Sequence, residues 1–377
     1  MAWKTGWSYA QRGTNFTYWE QTGFTYTFYN NLRGMACRLK YSNWYGMLPC
    51  EVASVKLYLR GQEHVLHQNG REGFLVTPDR EIYSDILEAG IMPGQVTVEM
   101  EFASSRRPES GNTFRPGVAM IMQSFEVYCE DISATDICVA ALFGDSITHW
   151  GNWTGPLIAG MYAKYSGNLS IFEVAVNGAR LLNGSPADQM NGLGYSGITR
   201  FEHDVLGQKG ISCCTFALGL NDLAITEEAG DVPLTFETYV SCVMEIIRKA
   251  HEKNVRIIGL TICPRAIEGA YTEAKNVLRR QINRWIMEDA PFDDSIDVAA
   301  LVANETDTGL KAEYDCGDGV HINEAAGERI AAAFTAEMFH NSTGAKPAPF
   351  PGSECEKRET GMSGEVALAP QTVCPEV

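Results

Sequence analysis

Apolar and polar positions alternate with a period of two along the first third of the chain. Clear examples are Phe24–Tyr29, Val55–Leu59, Val96–Phe102 and Ser124–Tyr128. Turn-forming triplets such as Gln68-Asn69-Gly70 and Met92-Pro93-Gly94 separate these runs. Alternation of this kind is typical of strands that bury one face, and helical spacing does not intervene. Residues 1–130 are therefore predicted to form an antiparallel β-sandwich.

From residue 137 the pattern changes to continuous apolar runs that alternate with segments of helical spacing. The runs predict five strands buried on both faces, at 137–143, 170–176, 211–217, 255–262 and 295–299. Apolar residues recur at helical spacing in 236–252, 272–288 and 323–339. This alternation predicts an α/β domain over 137–340, built on a doubly wound, parallel, five-stranded sheet. Residues 131–136 are predicted to be a linker, and the proline-rich residues 341–377 an extended or disordered tail.

Length and charge narrow the class of protein. A chain of 377 residues is long enough for two domains. The net charge of −17, without a basic run, argues against nucleic acid and against an anionic membrane surface as partners. The first residues lack the apolar core of a signal peptide, which predicts a cytoplasmic protein as given, or a secreted one if an export signal was removed. The oligomeric state, including a homo-oligomer, stays open.

The eleven cysteines do not indicate a metal site. Their number is odd, several lie inside apolar runs, and no Cys/His pair has the spacing of zinc ligands. We interpret them as reduced, buried, small hydrophobic residues.

Polar residues follow the predicted strands at the positions where each strand ends. Gly144-Asp145-Ser146-Ile147-Thr148 follows the first strand, Asn177-Gly178 the second and Gly219–Asp222 the third, and Asp318 and His321 lie further on in a glycine-rich loop. Any one of these segments alone is compatible with an ordinary turn or helix cap. Because the ends of parallel strands converge at one edge of a sheet, we expect the four segments to meet.

Together these residue types suit acyl transfer. A serine hydroxyl becomes a strong nucleophile when a base removes its proton, and His321 can do this for Ser146 near neutral pH. Asp318 precedes His321 by three residues, so its carboxylate can reach imidazole Nδ1 and orient the ring. The backbone N–H groups of Ser146 and Gly178 and the side-chain amide of Asn221 are suited to an oxyanion hole.

Four further residues are candidates for substrate contacts: Asp145, Trp150, Asn177 and Arg180. Each has a structural alternative. Asp145, like Asp222, can cap a loop or helix start. Trp150 can be packing, Asn177 can support its turn, and Arg180 can pair with a nearby acid.

Four blocks of the chain, in order, resemble those of the SGNH (GDSL-type) hydrolase superfamily. The blocks are Gly144-Asp145-Ser146-Ile147, Asn177-Gly178, Gly219-Leu220-Asn221-Asp222 and Asp318-Gly319-Val320-His321. The resemblance covers about 137–340. It implies a flavodoxin-like sheet, Ser146 as nucleophile, His321 as base, Asp318 as its partner and an oxyanion hole from Ser146, Gly178 and Asn221, with no cofactor or metal.

A narrower resemblance concerns the substrate. Arg180-Leu181-Leu182, Arg200–Leu206, Tyr314–Asp318 and the β-rich leader are similar to a two-domain subgroup of gut and rumen bacterial arylesterases and hemicellulose deacetylases. The arrangement also resembles acetylxylan esterases with a jelly-roll-like domain before the hydrolase domain, although their histidine block differs from Asp318–His321. The resemblance implies a serine esterase that removes short acyl groups, most simply acetyl, from plant cell-wall oligosaccharides. The alternatives are a lipid-directed acylhydrolase or thioesterase, and a carbohydrate-binding protein with a vestigial site.

Overall fold

The computed structural model of the chain describes residues 1–11, 22–46, 49–103, 121–129, 137–184, 194–227 and 230–339. The predicted linker 131–136 and the predicted tail 341–377 lie outside these residues.

Two antiparallel sheets form the N-terminal part. Sheet A has the order β1-β10-β3-β7, with β8 also paired to β3; sheet B has the order β2-β9-β4-β5, with β6 also paired to β4. The strands are β1 Ala2–Ser8, β2 Gly23–Asn30, β3 Gly34–Ser42, β4 Cys50–Leu59, β5 Gln62–Val65, β6 Phe74–Val76, β7 Glu81–Tyr83, β8 Leu87–Ile91, β9 Gly94–Phe102 and β10 Met122–Cys129.

The alternating pattern explains how these sheets pack. In β9, Val96, Val98, Met100 and Phe102 are buried, while the residues between them are partly or fully exposed. The rings of Phe28 on sheet B and Phe125 on sheet A lie 5.5 Å apart between their centroids. The buried faces of the two sheets thus share one apolar core, which confirms an antiparallel β-rich N-terminal part.

The third sheet, sheet C, is entirely parallel. Its order is β12-β11-β13-β14-β15, formed by β11 Cys138–Gly144, β12 Leu169–Glu173, β13 Cys213–Ala217, β14 Arg256–Leu260 and β15 Asp294–Ile296. Every residue of β11 is buried. This is the flavodoxin-like order, so the chain reverses its direction of winding beside β11, where open α/β sheets place their ligands. The predicted doubly wound parallel sheet is confirmed.

Helices cover both faces of sheet C. They are α1 Ser146–His149, α2 Thr154–Lys164, α3 Gly197–Phe201, α4 Leu220–Ala224, α5 Phe236–Glu252, α6 Glu273–Glu288, α7 Val298–Val302 and α8 Glu324–Ala331. A π-helical turn, Glu202–Leu206, continues α3, and short 3₁₀ turns span Ala312–Tyr314 and Ala336–Phe339. No helix among the described residues is long and apolar enough to span a membrane.

The helix predicted over 323–339 is shorter than its apolar spacing indicates. After α8 ends at Ala331, the chain forms a tighter turn. Phe334 N–H donates to the carbonyl of Ala331, three residues earlier, and not to the residue four earlier as in an α-helix. Phe334 turns inward and stacks on Trp153, with 5.4 Å between ring centroids and 3° between planes. A tertiary aromatic contact therefore overrides the local helical periodicity.

Most described cysteines match the interpretation as reduced, buried residues. Eight are free, and seven of these eight are buried. Burial raises the pKa of the Cys37, Cys50 and Cys263 thiols to about 12, which keeps them protonated. Cys316 is disulfide-bonded, so the interpretation is wrong at that position.

Hydrogen bonds join the β-rich part to sheet C and its loops. Thr5 N–H donates to the carbonyl of Lys209 at 2.9 Å, and Ser170 Oγ donates to the carbonyl of Gly6 at 3.1 Å. Asn31 Nδ2 donates to the carbonyl of Leu169 at 2.7 Å, at the start of β12. Because β12 is the edge strand of sheet C, the bonds to Ser170 and Leu169 hold the sandwich against that edge.

A buried ionic cluster lies at the same boundary. Arg200 and Asp204 are fully buried and paired at 2.8 Å. His203 places its two ring nitrogens 2.8 Å from Asp204 and 2.9 Å from Glu81 of β7, and Glu81 also pairs with Lys40 at 3.3 Å. With a carboxylate at each ring nitrogen, the doubly protonated imidazolium is the form that satisfies both contacts.

The cluster predicts a pH dependence of stability. Burial alone would lower the pKa of His203, but its bonds to Asp204 and Glu81 outweigh burial and raise that pKa to about 9. A raised histidine pKa contributes stability that is complete below the unfolded value, about 6.5, and is lost as the pH rises through the folded value. The free energy of unfolding should therefore fall by about 3 kcal/mol between about pH 6.5 and pH 10.

Urea denaturation at a series of pH values measures this slope. His203→Gln should be less stable near pH 6.5 and should flatten the decline, whereas His67→Gln, at an exposed position, should retain it. An equal slope in His203→Gln and the parent protein would show that His203 is not the titrating group.

Candidate active site

The segment after β11 places a serine at the edge of sheet C. A side chain at Gly144 would bring a Cβ within 2.2 Å of Thr148 Oγ1, so only glycine lets α1 fold back this closely on the strand end. Asp145 caps α1 through its carboxylate, which accepts a hydrogen bond from Ile147 N–H at 3.0 Å. Ser146, the first residue of α1, is largely buried, with 7% of its surface exposed.

A tight loop between α7 and α8 carries the histidine. Its ends are joined by the Asp315–Ile322 bridge, and Cys316 N–H donates to the carbonyl of His321 at 2.9 Å. One Asp315 carboxylate oxygen accepts from Gly317 N–H at 2.7 Å and Gly319 N–H at 3.0 Å. Both glycines have positive φ, 104° and 72°, which a side chain would disfavour in this turn.

Within this loop, Asp318 is held in place by the backbone that follows it. Its Oδ1 accepts from Val320 N–H at 2.9 Å and from His321 N–H at 2.8 Å. Burial alone would raise the pKa of Asp318, but these bonds and the contact with the His321 side chain outweigh it and lower that pKa. Asp318 is therefore an anion with its second oxygen, Oδ2, directed at the imidazole.

The structure brings Ser146, His321 and Asp318 into one hydrogen-bonded chain. His321 Nδ1 lies 2.5 Å from Asp318 Oδ2, and His321 Nε2 lies 2.9 Å from Ser146 Oγ. Because an ionised carboxylate accepts only, Nδ1 carries the proton and Nε2 can accept the proton of Ser146. This is the arrangement in which a histidine can act as base toward a serine.

The other two predicted blocks lie beside the nucleophile. Val176 N–H donates to the carbonyl of Gly144 at 3.2 Å, which places Gly178, with φ of +71°, next to the Ser146 turn. The Asn221 amide donates to the carbonyl of Ala179 at 3.1 Å and, weakly, to Asp145 Oδ2 at 3.4 Å. Both amide hydrogens therefore have protein acceptors, and the role of Asn221 in an oxyanion hole stays a prediction.

Two buried carboxyl groups, Asp145 and Asp222, support this edge of the sheet. Asp222 accepts from Leu181 N–H at 2.7 Å and Leu182 N–H at 2.9 Å, so it anchors the chain that follows Gly178. Burial raises the pKa of Asp222. Burial, with a further contribution from the Asp222 charge, raises the pKa of Asp145 to about 7. Both carboxyl groups therefore make contacts of the structural kind considered in the sequence analysis, in which they cap a loop or a helix start.

The remaining candidates for substrate contacts have different surroundings. Arg180 is buried and pairs through Nη1 with Asp231 at 2.7 Å, while its Nη2 donates to the carbonyl of Gly184. Asn177 is buried, and neither atom of its amide has a hydrogen-bond partner among the described residues. The Trp150 indole lies flat on the His321 ring, with 3.8 Å between centroids. Substrate contact by these residues stays a prediction.

Sequence reasoning missed two residues that hold the histidine loop. Asp315 organises the loop through its bonds to two glycine amides, and Asn152 Nδ2 donates to the carbonyl of Ile322 at 2.6 Å. An Asp-x-Gly sequence is a recognised signal for a side-chain-closed turn, so Asp315 could have been found. Asn152 carries no such local signal. Among the described residues, no group of three or more His, Cys, Asp or Glu side chains is arranged to hold a metal ion.

The chain also matches a protein-family model. The model of the GDSL-like lipase/acylhydrolase family matches residues 141–334, more than half of the chain. None of the curated proteins matches the chain.

Several solved structures are similar to just over half of the chain. A GDSL-like lipase from Bacteroides thetaiotaomicron has 16% identity, covering 54% of this chain and 87% of that one, with a TM-score of 0.39. A lipase/acylhydrolase from Enterococcus faecalis has 14% identity, covering 52% and 92%, with a TM-score of 0.41. An acetyl xylan esterase from Geobacillus stearothermophilus has 19% identity, covering 54% and 96%, with a TM-score of 0.40.

The Asp222 contacts predict the effect of removing its carboxylate. Asp222→Ala leaves one buried and one partly buried amide without an acceptor and should destabilise the fold by about 1–3 kcal/mol. Hydrogen exchange at the amides of Leu181 and Leu182 should accelerate, and Asp222→Asn, which keeps one acceptor oxygen, should show a smaller change. Glu288→Ala, on the exposed end of α6, is the matched control. Unchanged exchange at both leucine amides in Asp222→Ala would contradict the anchoring role.

Proposed function

The chain belongs to the GDSL-like lipase/acylhydrolase family, and from this premise we propose that it is a serine carboxylic-ester hydrolase. Ser146 is the nucleophile, His321 the general base and Asp318 the residue that orients the base. The observation that carries the proposal is the continuous hydrogen-bonded chain from Ser146 Oγ through the imidazole to Asp318 Oδ2.

The proposed reaction has two steps. In the first, Ser146 Oγ attacks the ester carbonyl carbon while its proton passes to His321 Nε2. The imidazolium gives that proton to the leaving alkoxide, so an alcohol departs and the acyl group remains on Ser146. In the second step, water attacks the acyl-enzyme by the same route and releases the carboxylic acid. Asp318 stays ionised and stabilises the imidazolium formed in each step.

The tetrahedral intermediate requires donors for its negative oxygen. We propose the backbone N–H groups of Ser146 and Gly178 and the side chain of Asn221, each worth about 3–4 kcal/mol of barrier. The Asn221 amide would have to exchange one of its present acceptors, most simply the distant Asp145 oxygen, for the oxyanion.

We propose further that the acyl group is short, most simply acetyl, and that the alcohol is a plant cell-wall oligosaccharide such as xylan. The resemblance of the β-rich leader and of Arg200–Leu206 to hemicellulose deacetylases supports this choice.

The assignment of Ser146 and Asp318 predicts large losses on substitution. Ser146→Ala should lower kcat with p-nitrophenyl acetate by at least about 10⁴-fold, because the nucleophile is removed. Asp318→Asn should lower kcat by about 10³- to 10⁴-fold, because the amide favours the wrong imidazole tautomer. Steady-state kinetics measure both effects. Ser54→Ala, on β4, should retain the parent activity, and full activity in Ser146→Ala would exclude the proposed mechanism.

The proposed substrate class predicts a steep dependence on acyl length. Along p-nitrophenyl acetate, butyrate, octanoate and palmitate, kcat/KM should fall by about tenfold or more beyond the shortest esters, because the proposed substrate carries a short acyl group. Acetate should be released from acetylated xylo-oligosaccharides by the parent protein and not by Ser146→Ala. A maximum at octanoate or longer would favour the lipid-directed acylhydrolase or thioesterase. Binding of these sugars without acetate release would favour the carbohydrate-binding alternative.

A further inference from the structure

The nucleophile turn carries an aromatic ring that contacts the base of the same site. Trp150 directly follows α1, and its backbone N–H donates to the carbonyl of Ser146 at 3.0 Å. Its indole lies almost parallel to the His321 imidazole, at 11° between planes and 3.8 Å between centroids. The nucleophile and the ring stacked on the base are thus fixed to one another by a single helical turn.

Packing around this turn keeps the stack in place. Asn152 Nδ2 donates to the carbonyl of Ile322, the residue after His321, at 2.6 Å. On α8, a Cβ at Gly327 would lie only 1.9 Å from the carbonyl oxygen of Asn152, so helix and segment are in direct contact. Trp153 stacks on Phe334 beyond the end of α8. Residues 150–153 are therefore held against the histidine loop and α8 at several points.

The imidazole is constrained at its edge by two hydrogen bonds. Asp318 and Ser146 hold Nδ1 and Nε2, but neither bond prevents the ring from tilting about the line that joins them. An indole on one face opposes that tilt. An aromatic face also attracts a cation, and in the proposed reaction His321 becomes a cation as the transition state is approached.

We propose that Trp150 is a positioning residue for His321, which keeps the imidazole in the plane joining Ser146 to Asp318 and stabilises the imidazolium during acyl transfer. This role rests on the proposed esterase function. It differs from the substrate contact that the sequence suggested for Trp150, because the ring face lies on the base.

Several charged and titratable groups lie on the elements packed around His321. They are Asp315 and Asp318 on its own loop, Asp145 and His149 on the nucleophile turn, Glu324 at the start of α8, and Arg265, whose neighbour Ala266 donates its N–H to the carbonyl of Gly319. Trp150 adds no net charge to this set. Replacing it by a neutral side chain therefore changes the aromatic contact while leaving every charge in place.

Kinetics of Trp150→Leu and Trp150→Phe with p-nitrophenyl acetate, from about pH 5 to about pH 9, test the proposal. In Trp150→Leu, kcat should fall by about tenfold, with KM changed by less than about twofold. The acid limb of kcat/KM should also move to lower pH, because loss of the aromatic face disfavours the imidazolium in the free enzyme. Trp150→Phe should restore most of kcat and the position of the limb. Trp44→Leu, at an exposed tryptophan of the β-rich part, is the matched control.

Three outcomes would overturn the proposal. A raised KM with unchanged kcat would make Trp150 a substrate contact. Equal losses in the Leu and Phe variants, together with lowered melting temperatures and an unmoved acid limb, would make it a purely structural residue. Parent kinetics in both variants would show that the stack has no role.

A second measurement separates this proposal from the esterase assignment. In the parent protein the indole should shift the His321 Hε1 proton resonance upfield, and Trp150→Leu should abolish that shift. An inactive parent protein that shows the shift would contradict the esterase assignment while keeping the contact. An active parent protein without the shift would contradict the positioning role alone.

Discussion

The geometry of the site depends on the burial of β11 at the centre of sheet C. With all of its residues buried and parallel partners on both sides, β11 is fixed in register by backbone hydrogen bonds that no water can replace. Its end at Gly144 therefore has a defined position relative to the ends of β12 and β13. The serine turn, the Gly178 turn and the Asn221 turn leave these three neighbouring ends, so the sheet brings them together before any side chain of the site makes a contact.

Carboxylates that accept backbone N–H groups then set the shape of each loop. Asp145 caps α1, Asp222 holds two amides after Gly178, and Asp315 and Asp318 each hold two amides in the histidine loop. A carboxylate that accepts from two backbone amides fixes both, and where the amide is buried, as at Leu181, breaking the bond leaves a polar group without a partner. These four acidic side chains thus shape loops through hydrogen bonds to backbone amides.

The β-rich part is joined to sheet C by specific polar contacts as well as by apolar packing. The buried pair of Arg200 and Asp204 requires its hydrogen-bond partners, because an unpaired charge in that position would be costly. His203 and Glu81 extend the cluster across the boundary, from the turn after α3 to β7. This cluster constrains how the two parts meet. The pair of Arg200 and Asp204 lies in α3 and in the π-helical turn that follows it. The first residue of α3, Gly197, donates its N–H to the carbonyl of Arg180, in the segment that follows Gly178.

The sequence by itself determined the class of fold and singled out the candidate residues of the site. Period-two alternation and buried apolar runs depend on local burial, which is why the strands and the helices Phe236–Glu252 and Glu273–Glu288 were predicted within a few residues. Ser146, Asp318 and His321 follow from chemistry and strand ends. Only the tertiary structure decided that α8 stops at Ala331, that Cys316 is disulfide-bonded, that Asn221 bonds Ala179, that Arg180 pairs with Asp231 and that Trp150 covers His321. Each of these depends on groups distant in sequence, whose approach is set by packing and leaves no periodic trace in the chain.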